Sequence, residues 1–135
     1  MSLRIPCISF RQPIPEMILR GIKTIETRSR KVNVNGTYYI HVSQGATWER
    51  DDLDFDISAL PKGVIVGKVD IVKIKTYTNE KEWRADEKKH RVLSLPPKFP
   101  FYGYELKNPI RVKPFACKGQ LGLPFWIETN VQTLT

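Results

Sequence analysis

Three charged side chains stand close together in the stretch Gly21-Ile22-Lys23-Thr24-Ile25-Glu26-Thr27-Arg28. The stretch reads as the end of a helix followed by a strand from about Thr24 to Arg28. Side chains on a strand alternate with period two, so Glu26 and Arg28 project to one face. Lys23 can lean over that face from the preceding turn, to contact a phosphate or, with a lowered pKa, to act as a base. A carboxylate between two cations stays ionised and can accept from an exocyclic amine or orient a water. The same residues also fit a plainer assignment: Glu26 and Arg28 as a surface ion pair worth under about 1 kcal/mol, with Lys23 at a helix C-terminus.

Other candidates are scattered. His41 and Ser43 share a strand face, and His41 is as readily a satisfied core histidine. Gln12 either reads a base edge or organises its own turn. Tyr102, Gly103 and Tyr104 offer a stacking ring beside a close backbone approach, although aromatics so placed are more often core. Lys118, Gly119, Gln120 and Gly122 form a glycine-rich turn whose amides and lysine can receive a phosphate. Trp48 and Trp83 read as packing anchors, Trp83 on a helix too acidic to be a first contact surface.

The elements that must position these residues follow from periodicity and punctuation. Ile5 to Phe10 reads as a strand, and Gln12-Pro13 turns the chain. Ile14, Met17, Ile18 and Ile22 mark one buried helical face that Gly21 ends. Thr37 to Ser43 is a β-rich strand entered from an Asn35-Gly36 turn. Residues 44–62 are polar and fit either a helix or an ordered loop. Gly63 to Tyr77 is a long β-branched strand in which Gly67 marks a bend or bulge. Residues 79–92 predict one charged surface helix. Pro96, Pro97 and Pro100 precede β segments at Phe101 to Phe115 and around Phe125 to Glu128. Short strands interleaved with one or two helices predict a mostly β chain, either a partly closed barrel or an antiparallel sandwich.

A chain of 135 residues fits one domain spanning residues 1–135. No apolar run approaches the roughly 20 residues of a membrane helix. Arg4, Arg11 and the prolines interrupt any signal-like segment, which predicts a cytoplasmic protein without a membrane role. Cys7 and Cys117, with His41 and His90 as the only histidines, match no metal spacing, so reduced thiols and no metal or cofactor are expected. The formal charge of +8 favours a polyanionic partner. Basic residues crowd Arg4 to Lys31, whereas Glu49, Asp51, Asp52, Asp54 and Asp56 would repel phosphate; one basic face and one that is not are expected.

Gly21, Lys23, Glu26 and Arg28 match the GxKxxExR signature of the ASCH family, in the PUA-like superfamily. ISFRQPIPEMILRG resembles that family's opening strand, Gln-Pro turn and first helix; YYIHVS and GVIVGKVDIVKI resemble its next strands. FYGYELKNPIRVKPFACKGQLGLPFW is similar to its closing segment and Lys-Gly-x-x-Gly turn. The resemblance implies a PUA-like, partly closed β-barrel with one or two flanking helices, and a cleft for RNA lined by the signature residues, with His41 beside it. Members have been read as RNA-binding modules, as a ribonuclease, and as amidohydrolases acting on N4-acetylcytidine. In the last branch a threonine nucleophile occupies the position of Glu26, three residues after an activating lysine. Thr24 and Thr27 flank that position without keeping the spacing, so of that mechanism only Lys23 and Arg28 carry over.

The leading reading is therefore a module that binds RNA or a modified nucleoside or nucleotide through Gln12, Lys23, Glu26, Arg28, His41, Ser43, Tyr102, Gly103, Lys118 and Gln120. The second is a hydrolase, amidohydrolase or ribonuclease, in which Glu26 activates water and Lys23 stabilises an oxyanion. The third, a basic structural partner in a ribonucleoprotein, needs charge but no cleft.

Overall fold

The computed structural model describes residues 2–134. Its strands are β1 (Ser2–Phe10), β2 (Ile25–Arg28), β3 (Gly36–Val42), β4 (Val64–Tyr77), β5 (Phe101–Ala116) and β6 (Phe125–Asn130). The helices are short: α1 (Ile14–Leu19), α2 (Glu80–Ala85) and α3 (Glu87–His90). The strands form one sheet in the order β2-β5-β4-β3-β1-β6, whose end strands do not pair, so the barrel is only partly closed.

β1 and β3 run parallel, with Cys7 opposite Tyr39 and Ser9 opposite His41. The parallel step is possible because α1 and β2 supply the crossover. β4 and β5 form the longest pair, and its register breaks between Ile65 and Gly67, Lys68 and Asp70, and Ile71 and Lys73. Such irregularities bend and twist a ladder, here curling the sheet around the core. That core gathers Ile8, Phe10, Ile40, Val42, Val69 and Ile71, with Ile14 and Ile18 of α1 packed against them. A smaller cluster of Ile5, Cys7, Ile65 and Phe125 fills the other end.

Ile14, Met17 and Ile18 are buried, as their helical spacing predicts. Gly21, in the left-handed region at φ 75°, ends that helix. The Ile22 and Lys23 amides both donate back to the Met17 carbonyl, which turns the chain inward toward β2. Residues 44–62 prove to be an ordered loop with one 3-10 turn, Ile57–Ala59, capped by the Asp56 side chain. The single helix expected over residues 79–92 is instead α2 and α3, broken at Asp86. There the Asp86 carboxylate turns inward to accept from Lys75 Nζ and Tyr77 Oη at 2.5 and 2.7 Å. Among the described residues no helix is long and apolar enough to cross a membrane.

Candidate functional site

The turn after α1 delivers Lys23 to a buried position, 3% exposed. Its ammonium donates to the His90 carbonyl at 2.5 Å and stands 3.7 Å from Glu26 Oε1. Burial pushes the Lys23 pKa below lysine's ordinary value; Glu26 opposes that shift, and Arg50 and Arg28 add to it. Alternation along β2 sets Glu26 beside Arg28, whose Nε donates to Glu26 Oε2 at 2.8 Å. Arg28 Nη2 then donates to the Ser9 carbonyl at 3.1 Å, tying β2 to β1 across the open side of the barrel. Glu26 is 8% exposed, so this is no surface ion pair. Its carboxylate receives that one hydrogen bond and the nearby ammonium, which leaves lone pairs for a ligand.

The His90 carbonyl that holds Lys23 is itself fixed. The His90 ring is fully buried, donates from Nε2 to the Trp83 carbonyl at 2.9 Å and accepts the Val92 amide at Nδ1 at 3.0 Å. It stacks on Trp83 with ring centres 4.2 Å apart. The carbonyl of Trp83 can only accept, so Nε2 carries the proton.

Lys23, Glu26 and Arg28 converge on a cleft of about 490 Å³, walled by Phe10, Ile14, Trp48, Trp83, Pro96, Pro97 and Phe101, with Ser9 and Arg11 also lining it. Trp83 is the packing anchor expected, 1% exposed, yet its ring also borders the cleft. Trp48 departs from expectation. It is 49% exposed, its amide held by the Gln12 carbonyl at 3.0 Å and the Arg11 guanidinium 5.8 Å from its ring centre. Beyond Trp48 a hollow of about 380 Å³ shares Ile14, Lys23, Trp48, Val92 and Ser94 and adds Glu49, Arg50, Asp51, Asp52 and Arg91. Glu49, Asp51 and Asp52 of the acidic stretch thus lie in a hollow that Lys23 also lines, rather than on a separate face. Arg50 donates to both Asp52 oxygens at 2.9 and 2.7 Å and holds that carboxyl down to about 2.

The remaining candidates stand outside the cleft. Gln12 is buried, its amide donating to the Pro61 carbonyl at 3.0 Å while Oε1 has no partner among the described residues. It organises the turn that presents Trp48. His41 is 1% exposed and donates from Nε2 to the Cys117 carbonyl at 2.8 Å, so its Nδ1 accepts from Ser9 Oγ at 2.9 Å. It therefore stands behind Ser9, one residue removed from the cleft. Ser43 Oγ is buried without a partner among the described residues. Tyr102 packs against the core. A Cβ on Gly103 would meet the Tyr77 ring at 2.7 Å, so that glycine admits an aromatic neighbour rather than a ligand. Lys118 and Gln120 are exposed, in a turn whose Gly119 packs over His41. Among the described residues no cluster of histidine, cysteine and carboxylates could hold a metal.

Sequence reasoning missed Trp48 as a cleft residue, and the His90 carbonyl altogether. Trp48 carried one signal, a large aromatic in a polar stretch with no apolar period to bury it. The backbone contact carried none.

Comparisons with known proteins agree with this architecture. The sequence model of the ASCH domain matches residues 8–116. The crystal structure of ASCH from Zymomonas mobilis is similar at TM-score 0.63 and 13% identity, over 82% of this chain and 72% of that chain. Two point mutants of the same Zymomonas protein match with the same TM-score and identity, covering 72% and 74% of their own chains. At that identity the likeness is one of fold.

Proposed function

Since the chain belongs to the ASCH domain family, we propose that it is an RNA- or nucleotide-binding module whose recognition site is the Lys23–Glu26–Arg28 cleft. One observation carries the reading: a buried, unsaturated carboxylate between two cations at the floor of a cleft of about 490 Å³. That volume suits a nucleoside, lying within the roughly 300–1,000 Å³ of small-ligand sites. Glu26 accepts from a base N–H, Lys23 donates to a base carbonyl, and Arg28 meets ribose or phosphate at the mouth. Trp48 supplies the flat apolar face on which a base stacks.

A hydrolase is the second reading, favoured by the Lys23 ammonium standing 3.7 Å from the Glu26 carboxylate at the cleft. There Glu26 takes a proton from water and the lysine stabilises the oxyanion. Incubating the protein with modified nucleosides and short RNAs, followed by mass spectrometry, separates the two. Retention without conversion, weakened in Glu26→Gln, supports the module. Conversion lost by about 100-fold or more in Glu26→Gln, with retention kept, supports the hydrolase. Neither retention nor conversion of any nucleotide would remove both.

A further inference from the structure

The two lobes on either side of Trp48 differ in their charges, one lined by Glu49, Asp51 and Asp52 beside engaged guanidiniums and the other by Arg11, Lys23 and Arg28 around Glu26, and that asymmetry bears on which part of an RNA the cleft can take. On the far side, Arg50 is engaged by Asp52 and by the Arg91 carbonyl, and Arg91 Nη2 stands 3.9 Å from Asp52. The two guanidiniums there are thus drawn toward one carboxylate, while Glu49 and Asp51 remain exposed along the same lobe. A phosphodiester continuing through this lobe would pass three carboxylates whose two neighbouring guanidiniums are already engaged by protein groups. On the near side Arg11 is exposed and stands against the Trp48 ring rather than a carboxylate, and Arg28 Nη1 has no hydrogen-bond partner among the described residues. The chain runs on from Arg28 into exposed Arg30 and Lys31.

Building on the nucleotide-binding reading above, we propose that the cleft takes a single nucleotide at the free end of an RNA strand. Its base stacks on Trp48, and the polyanion leaves past Arg11 and Arg28. Trp48 and the acidic lobe behind it form an end-stop, so the substrate class is strand termini and mononucleotides, not internal segments of a running strand.

The test uses the whole chain with 2-aminopurine riboside monophosphate, and with single-stranded hexaribonucleotides carrying 2-aminopurine at the 5′ end, the 3′ end or the middle. Stacking on an indole quenches the probe. The mononucleotide and one of the two termini are expected to be quenched, with affinity at least about tenfold above that of the internal probe. In the Glu49→Gln/Asp51→Asn double variant, which alters only exposed side chains, that discrimination should shrink severalfold. Equal quenching of internal and terminal probes, or discrimination unchanged in the double variant, overturns the end-stop while leaving the nucleotide site standing. Absence of quenching with the mononucleotide and with every oligonucleotide overturns both.

Discussion

Glu16 on α1 and Glu26 on β2 are buried almost equally, at 7% and 8% exposed, yet they are bonded very differently. Glu16 is saturated. Arg111 grips both of its oxygens at 3.0 and 2.9 Å, and Arg20 Nε adds a third bond at 2.7 Å, pinning α1 to β5. The hydrogen bond from Arg111 is the main cause holding its pKa below the usual carboxylate value. Glu26 has one hydrogen bond, from Arg28, and an ammonium at 3.7 Å, and it faces open space. Burial alone does not distinguish a structural carboxylate from a recognition carboxylate. Saturation does: lone pairs already spent on protein donors hold the fold, and lone pairs left toward a cleft are available to a ligand.

The largest expected effect breaks the Glu26 side of this contrast. Lys23→Met keeps the bulk of the side chain and removes a desolvated charge. A charge-assisted hydrogen bond to a ligand is worth about 1.5–3 kcal/mol, so nucleotide affinity should fall by about 10- to 150-fold. Stability should stay within about 1 kcal/mol of wild type, because the lost bond to His90 is offset by relief of desolvation, and Glu26 keeps Arg28. Titration calorimetry and urea unfolding measure the two. Unchanged affinity would make Lys23 a structural group like Arg111.

Glu16→Gln should do the reverse. One arm of the Arg111 fork loses its acceptor and the charge assistance disappears. The Arg111 and Arg20 side chains are 53% and 44% exposed, so water takes over part of their solvation. A loss of about 1–2 kcal/mol is therefore expected, read as a lower urea midpoint, with nucleotide affinity within about twofold of wild type. A marked loss of affinity would mean that the α1–β5 clamp and the cleft are coupled.

The Glu26 side of this contrast was legible beforehand in its charges and its strand face, and the illegible Glu16 side has physical reasons. Period two on β2 placed Glu26 beside Arg28, and helical spacing buried Ile14, Met17 and Ile18, because both patterns are local. The partner of Glu16 lies on β5, at Arg111, and no spacing connects the two. The same holds for the His90 carbonyl on Lys23, a contact made by a backbone atom that every residue owns. His41 and Gly103 had the right chemistry for a site but are consumed by Ser9 and Cys117 and by the Tyr77 ring, while Gln12 spends its amide nitrogen on Pro61 and lies outside the cleft. Residue type reveals capacity to bond; only the three-dimensional neighbours reveal whether that capacity is already used.

The smallest effect is expected from mild acidification, which reaches the two regions at different pH. Burial is the main cause that lowers the pKa of both His41 and His90 from 6.5, partly opposed by their bonds to the Cys117 and Trp83 carbonyls. Just below pH 6.5 the unfolded chain therefore takes up protons that the folded one refuses, so stability present above 6.5 is lost as pH falls through the folded values. Glu16 also has a lowered pKa, but from 4.5, so its contribution is lost only further down. The Glu26 region should thus weaken first: a protonated His90 can no longer accept the Val92 amide at Nδ1, and its charge would face Lys23. Urea midpoints and nucleotide affinity, compared at about pH 7.5 and about pH 5, should both decline. In Glu16→Gln the decline over this interval should be undiminished, since Glu16 stays ionised throughout it. A profile flat to about pH 5 and falling only below 4.5 would assign the acid sensitivity to the saturated carboxylates instead of to the histidine beneath the cleft.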